Sequence, residues 1–144
     1  MRLNNIPDGV RVFGDPKWRG KCPTENVEQA TVIGWLRREW PDTIGALVIH
    51  PRNEQQLRGG QHRQMIRQSA EGMTPGASDI IIPGAVTFVC ELKRRDRTLG
   101  TWQPGQVEYL DAAAKAGAFA CVALGHAAAM EAVREWLISS GVQA

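Results

Sequence analysis

The sequence has few cysteines and no long apolar segment, and each absence excludes a class of protein. Its 3 cysteines are widely spaced and form no C-x-x-C pair, which argues against a disulfide framework, a structural zinc site or a redox motif. No apolar run approaches the roughly 20 residues needed to cross a bilayer, and the amino-terminal residues lack the apolar stretch of a signal peptide. We therefore expect no membrane segment and a cytoplasmic location.

A large excess of charge of one sign is also missing. The formal net charge is +2 at pH 7, which is too small to indicate nucleic-acid binding by itself. The remaining composition, 43% hydrophobic and 22% charged, is ordinary for a globular protein, and 144 residues are enough to bury a core. We predict a single domain over residues 1–144, in which residues 1–23 form an irregular amino-terminal arm or short strand.

The basic residues are grouped, and the groups are more informative than their sum. One group lies in the polar segment between residues 52 and 67, and another directly follows a strand-like run that ends at Lys93. Basic residues beside a carboxylate site attract a polyanion, whereas the alternative interpretation is a solvated charged surface. The candidates for nucleic-acid contact are Arg58, Arg63, Arg67, Arg94, Arg95 and Arg97.

Two apolar runs, over residues 79–84 and 86–93, carry the polar residues most typical of a reaction site. Successive side chains of a strand point to opposite faces, so Glu91 and Lys93 emerge side by side while their apolar neighbours line the other face. If the intervening turn folds the first run back against the second, Asp79 lies near Glu91. Two carboxylates and a lysine then converge.

Such a cluster is suited to phosphodiester cleavage. Crowded carboxylates resist joint ionisation unless a cation lies between them, and an oxygen-rich site prefers Mg²⁺ or Mn²⁺. The ion polarises the phosphate and lowers the pKa of a bound water. Lys93 either holds or deprotonates that water, or it neutralises the charge that develops on the phosphate, and the residues leave these roles open.

Four short motifs occur in an order that is typical of one nuclease family. They are Glu25-x-x-x-Gln29, Gly76-Ala77-Ser78-Asp79, Glu91-Leu92-Lys93, and Pro104-Gly105-Gln106 followed by Tyr109. In this order and spacing they resemble the VRR-NUC branch of the PD-(D/E)XK nucleases, in its stand-alone phage or bacterial type. One position departs from the family pattern, because Ser78 precedes the aspartate where family members usually have proline.

The resemblance implies a metal-dependent DNA endonuclease and assigns its residues. Those implied to hold the metal are Glu25, Asp79, Glu91 and the backbone carbonyl of Leu92. The implied catalytic group is Lys93 with Glu91 and Asp79, and Gln106 supports it. The residues alone leave Glu25 and Glu28 as rivals for the ligand on the first helix, and the resemblance favours Glu25.

The pattern along the chain predicts an α/β fold. The expected elements are a helix over 24–40, a buried strand over 44–50, a short helix over 61–70, the two runs described above, a helix opened by Pro104, a strand over 119–124 and a closing helix over 126–138. This order resembles the restriction-endonuclease-like αβββαβ core. Because the last two strands are joined through a helix, the central sheet is expected to be mixed and flanked by helices.

The expected partner is DNA, in duplex or branched form, and the small size of the unit predicts a homodimer. A rival from another class is a non-catalytic DNA-binding module of the same fold, which would bind without Mg²⁺ and leave DNA intact. In a third interpretation, Glu91 and Lys93 form a surface ion pair on an edge strand without a metal. His50, at the end of a predicted strand, is the secondary candidate for the site.

Overall fold

The structure is a computed structural model that describes residues 1–51, 66–67 and 70–144. The described residues contain four strands, β1 (Arg11–Phe13), β2 (Ile80–Ile82), β3 (Phe88–Lys93) and β4 (Phe119–Leu124). They form one sheet in the spatial order β1–β4–β3–β2. The second half of the chain therefore supplies the centre of the sheet, and the short β1 and β2 form its edges.

Helices pack on both faces of this sheet. They are α1 (Glu25–Glu39), α2 (Ile44–Leu47), α3 (Gln106–Lys115) and α4 (His126–Ser139). The predicted α/β class, with a mixed sheet flanked by helices, is confirmed. In the part of the chain that the structure describes, no helix is long and apolar enough to span a bilayer.

Pairing within the sheet brings the two apolar runs together as predicted. Strands β2 and β3 are antiparallel, with Ile80 opposite Cys90 and Ile82 opposite Phe88. Strand β4 runs parallel to β3 and is reached through α3, so the predicted crossover is also present. One step beyond the register of β2, Asp79 lies across the hairpin from Glu91, near the end of β3.

Alternation along β3 sends its side chains into two different cores. Phe88 and Leu92 pack with α1 and α4, where the ring of Trp136 lies tilted against that of Phe88 at 5.3 Å between centroids. On the opposite face, Val89 packs with Leu110 of α3. Glu91 and Lys93 share the parity of Val89, so the strand directs both toward the side of the sheet that α3 covers.

The strand predicted over residues 44–50 is wrong for most of its length. Residues Ile44–Leu47 form the helical turn α2 instead. Farther along the predicted strand, Ile49 makes an isolated antiparallel bridge to Ile81. The cause is close packing on the end of α1, since a Cβ at Gly45 would overlap the carbonyl oxygen of Leu36. A short apolar run does not distinguish a strand from a buried helical turn, and here the tertiary contact decides.

Other element boundaries are close to those predicted. Helix α1 starts directly after Thr24 and ends one residue before Trp40, and α4 ends at Ser139. Pro104 stays outside α3, which begins at Gln106 after a left-handed Gly105. The predicted arm over residues 1–23 contains β1, which pairs in parallel with β4. Most of the helix predicted over residues 61–70 lies outside the described residues.

We predict that Gly76 is required for the contact between the loop before Asp79 and the start of α3. Gly76 has φ +77°, and a Cβ there would overlap the backbone carbon of Gly105. Gly76→Ala is therefore expected to lower the free energy of unfolding by about 2–4 kcal/mol, from backbone strain and overpacking together. Urea denaturation measures this value.

Gly72→Ala is the matched control for that substitution. Gly72 also has a positive φ of +102°, but nothing lies within 4 Å of the position that a Cβ would take there. The control should cost only the strain of the left-handed backbone, about 1–2 kcal/mol. Equal losses in the two variants would contradict a special contact at Gly76.

Candidate active site

The hairpin brings the carboxyl groups of Asp79 and Glu91 to one place. Oδ2 of Asp79 accepts a hydrogen bond of 2.9 Å from the backbone N–H of Leu92, which fixes Asp79 across the strand pair. Leu92 is the next residue after Glu91, and each carboxyl lies close enough to perturb the pKa of the other. From the other side, Nδ1 of His50 donates to the backbone carbonyl of Asp79 at 2.7 Å. The structure thus places His50 at the edge of this pair.

Burial makes it costly to ionise both carboxyl groups. It raises the pKa of Glu91 well above its usual range, and the nearby Asp79 raises it further, while Lys93 acts in the opposite direction. Burial also raises the pKa of Asp79, although the bond from Leu92 N–H and the charge of Lys93 partly offset it. The pair therefore favours a proton or a cation between its oxygens.

Lys93 is enclosed by hydrogen-bond acceptors. Its side chain is 1% exposed, and Nζ donates to the carbonyl of Thr101 and to Oε1 of Gln106, both at 2.9 Å. Oε1 of Glu91 lies 3.3 Å from the same nitrogen, and the ring of Trp102 lies 5.3 Å from it. The third interpretation from the sequence, an exposed surface pair of Glu91 and Lys93, is wrong because both side chains are 1% exposed.

Gln106 connects the two charged groups and orients Glu91. As the first residue of α3 it accepts on Oε1 from Lys93 and from the backbone N–H of Gln103, at 2.9 and 2.8 Å. Its Nε2 donates to Oε1 of Glu91 at 2.7 Å. Oε1 of Glu91 is thus occupied, whereas no described group hydrogen-bonds to its buried Oε2.

The donor set fits a small divalent cation with two protein carboxylates. A buried carboxylate oxygen without a described partner, beside a second carboxylate, is a site where a cation removes an energetic penalty. Over residues 1–51, 66–67 and 70–144, no three His, Cys, Asp or Glu side chains group closely enough to hold an ion. Mg²⁺ is commonly bound through one or two carboxylates, with waters and substrate oxygens completing its shell, so Asp79 and Glu91 satisfy its needs.

The first helix contributes two glutamates with different surroundings. Glu25 lies near the pair, since Lys93 and Asp79 both influence its pKa, which burial raises. Glu28 is buried on the same helix, but its Oε2 accepts from the backbone N–H of His126 at 2.6 Å and from the His126 ring. Glu25 is thus near enough to feel the charges of Asp79 and Lys93, although the described carboxylates form no group of three around one ion, and Glu28 is directed to the start of α4.

The arginines predicted to contact nucleic acid are placed in different ways. Arg94 and Arg97 donate to backbone carbonyls of the amino-terminal residues, and Arg95 lies 4.1 Å from the ring of Trp18. Arg67 is exposed and pairs with Glu71 at 3.0 Å. Arg58 and Arg63 lie outside the described residues.

Sequence reasoning missed two residues that surround Lys93. Thr101 supplies a backbone carbonyl, and Trp102 supplies a ring face while its indole N–H donates to the carbonyl of Arg2 at 3.0 Å. A carbonyl leaves no signature in the sequence. The position of Trp102, in the loop between Lys93 and Gln106, is a signal that could have indicated a contact with the lysine.

Comparisons with known proteins agree with this geometry at the level of the fold. No family model matches the sequence, and no curated protein matches it significantly. Among solved structures, the chain is similar to a protein described as a "VRR_NUC domain protein", with 22% identity and a TM-score of 0.61 over 82% of this chain and 91% of that one. The chain has the VRR-NUC fold. The resemblance found in the motifs is thereby confirmed for the fold, and in this fold the Asp79 hairpin and the start of α3 meet at the site described above.

We predict that Asp79→Asn stabilises the metal-free protein at neutral and alkaline pH. A carboxyl with a raised pKa binds its proton more tightly in the native than in the unfolded state, so stability falls as the pH rises above the ordinary carboxyl pKa of about 4. The amide can still accept from Leu92 N–H, and it removes the repulsion with Glu91. Thermal unfolding in EDTA at pH 8 should show a gain on the order of 1 kcal/mol, or about 3 °C, that shrinks toward pH 4.

Mn²⁺ should reverse the order of stability, so that the wild-type chain becomes more stable than Asp79→Asn. It should stabilise the wild-type chain and have little effect on Asp79→Asn, because the variant has lost one of the two carboxylates. Asp42→Asn, at an exposed aspartate, is the control and should behave as wild type. Equal stabilisation of wild type and Asp79→Asn by Mn²⁺ would show that the ion binds elsewhere.

Proposed function

We propose that this protein is a divalent-metal-dependent DNA endonuclease that hydrolyses phosphodiester bonds. The observation that carries the proposal is the buried Oε2 of Glu91, which no described group bonds and which lies beside Asp79 and an enclosed ammonium. A binding module has no use for buried carboxylates that repel phosphate. The similarity to a VRR_NUC domain protein supports the same conclusion through the fold.

Asp79, Glu91 and the carbonyl of Leu92 are the residues that would hold Mg²⁺ or Mn²⁺, and Glu25 on α1 is the further ligand that the motif resemblance implies. The bond from the Leu92 N–H to Asp79 supports this role, because the N–H and carbonyl of one strand residue point to the same edge. A divalent ion bound there supplies Lewis-acid activation of the phosphate and lowers the pKa of a bound water. The protein's contribution is to keep both carboxylates close and poorly solvated.

Lys93 acts in this proposal as a fixed positive charge. An ammonium has three donors and no acceptor, and Thr101, Gln106 and Glu91 supply three acceptor oxygens around it. With its donors engaged by these oxygens, the ammonium is held in one position. We infer that Lys93 stabilises the negative charge that develops on the phosphate during cleavage, which selects one of the roles left open by the sequence.

Gln106 positions both partners of this charge pair. Its carbonyl oxygen accepts from Lys93 and its amide nitrogen donates to Oε1 of Glu91, so Oε2 is the Glu91 oxygen that no described group hydrogen-bonds. Gln106 therefore leaves the two oxygens of Glu91 with different functions. Oε1 pairs with Lys93, and Oε2 is free to bind a cation. This is the supporting function expected of Gln106.

DNA is the proposed partner, and the arginines contribute unequally. Arg67 and Arg95 are exposed and remain candidates for phosphate contact, together with Arg58 and Arg63 in the segment outside the described residues. In its more specific form, the proposal is a homodimer that cleaves branched DNA. A dimer would carry two such sites, one for each side of a branch. Sedimentation analysis with and without a four-way junction measures the assembly, and a monomer in both conditions would contradict this form.

We predict that Lys93→Met abolishes cleavage while leaving the protein folded. Methionine keeps the apolar stem but removes the charge, so cleavage of plasmid DNA with Mg²⁺ or Mn²⁺ should fall by about 10²–10³-fold or more. Lys115→Met is the matched control, because Lys115 lies on α3 with its side chain 75% exposed. It should cleave as wild type.

Two results would contradict the proposal. Equal cleavage by Lys93→Met and Lys115→Met would indicate a contaminating nuclease or a different site. A wild-type chain that binds DNA in EDTA and leaves it whole in Mg²⁺ and Mn²⁺ would instead identify a non-catalytic binding module.

A further inference from the structure

The four residues that follow Lys93 are attached to the amino-terminal residues 15–23, which we call the clasp segment. Arg94 donates from Nη2 to the carbonyl of Cys22 at 2.7 Å and from Nε to the carbonyl of Pro23 at 3.1 Å. Farther along, Asp96 accepts from the backbone N–H of Gly20, and Arg97 donates to the carbonyl of Pro16. Two of the three arginines in this basic stretch, Arg94 and Arg97, are thus bound to the protein's own backbone.

The clasp segment ends where α1 begins. Pro23 precedes Thr24, the residue before the helix, and Thr24 accepts the first helical bond from the N–H of Glu28 at 3.0 Å. Glu25 is the first residue of α1 and lies two positions after Pro23. A guanidinium that holds the carbonyls of Cys22 and Pro23 therefore fixes the path of the chain into Glu25.

Arg94 also acts on the Glu25 carboxylate directly. A hydrogen bond from the backbone N–H of Arg94 and the charge of its guanidinium both lower the pKa of Glu25, against the raising effect of burial. Arg94 directly follows Lys93 in the chain, and Lys93 ends β3. Arg94, the residue directly after β3, therefore also holds the chain that leads into α1, the helix that begins with Glu25.

We propose that Arg94 is a positioning residue that sets Glu25 against the Asp79–Glu91 pair, and that it serves metal binding rather than DNA binding. The proposal rests on the metal site of the proposed function. The planar fork of arginine suits two neighbouring carbonyls, whereas the single ammonium of lysine cannot hold both with the same geometry. Two of the five guanidinium donors of Arg94 are bound to backbone carbonyls, so the protein itself sets the orientation of this side chain.

Metal titration of the full chain without DNA tests this proposal. Calorimetry with Mn²⁺ alone should show about 10-fold weaker binding in Arg94→Ala and a smaller loss in Arg94→Lys, as is usual for residues that orient metal ligands. Arg38→Ala removes an exposed arginine from the far end of α1 and is the control, with unchanged Mn²⁺ affinity. Unchanged affinity in Arg94→Ala would overturn the proposal.

A double-mutant cycle identifies the route of the effect. If Arg94 acts through Glu25, the pair Arg94→Ala and Glu25→Gln should bind Mn²⁺ no more weakly than Glu25→Gln alone. Additive losses would mean that Arg94 acts elsewhere. Circular dichroism of each variant confirms folding, and should Arg94→Ala fail to fold, the same cycle run with Arg94→Lys gives the same decision.

DNA affinity measured in EDTA across a salt series separates positioning from phosphate contact. Arg94→Ala should leave unchanged the slope of log affinity against log salt, whereas loss of one phosphate contact would reduce it by about 0.9. A reduced slope with unchanged Mn²⁺ affinity would assign Arg94 to DNA and overturn the inference while leaving the nuclease proposal intact. Absence of Mn²⁺ binding by the wild-type chain would overturn both.

Discussion

The excess of negative charge at the end of β3 is the constraint on which the account depends. Asp79 and Glu91 bring two carboxyl groups to a place where Lys93 supplies one compensating charge, and burial raises the pKa of both acids. Gln106 uses its two ends to satisfy Lys93 and one oxygen of Glu91. Among the described residues nothing satisfies the other oxygen, so the site is complete only with a proton or a cation.

The fold maintains this costly arrangement by fixing each contributor from a different direction. The antiparallel hairpin holds Asp79 through Leu92 N–H, and the parallel crossover returns α3 so that Gln106 reaches the same point. Close backbone contact between Gly76 and Gly105 joins the loop before Asp79 to the start of α3. Stability is lost locally in exchange for a preorganised site, as is common where function needs buried charge.

Much of the site could be predicted from the sequence, because it depends on local pattern. A period of two places Glu91 and Lys93 on one face, and a turn between two apolar runs brings Asp79 back to them. The helical turn α2 at residues 44–47 could not be predicted from the sequence, because its helical form depends on packing against Leu36. The attachment of Arg94 to Cys22 joins residues 72 positions apart, and no pattern in the sequence indicates such a contact.

The most direct test of the central claim is anomalous diffraction from crystals of the wild-type chain grown with Mn²⁺. We expect a peak about 2.1 Å from carboxylate oxygens of both Asp79 and Glu91, the usual bond length for a small hard cation. Density at Glu28 and His126 instead, or no density between Asp79 and Glu91, would contradict it.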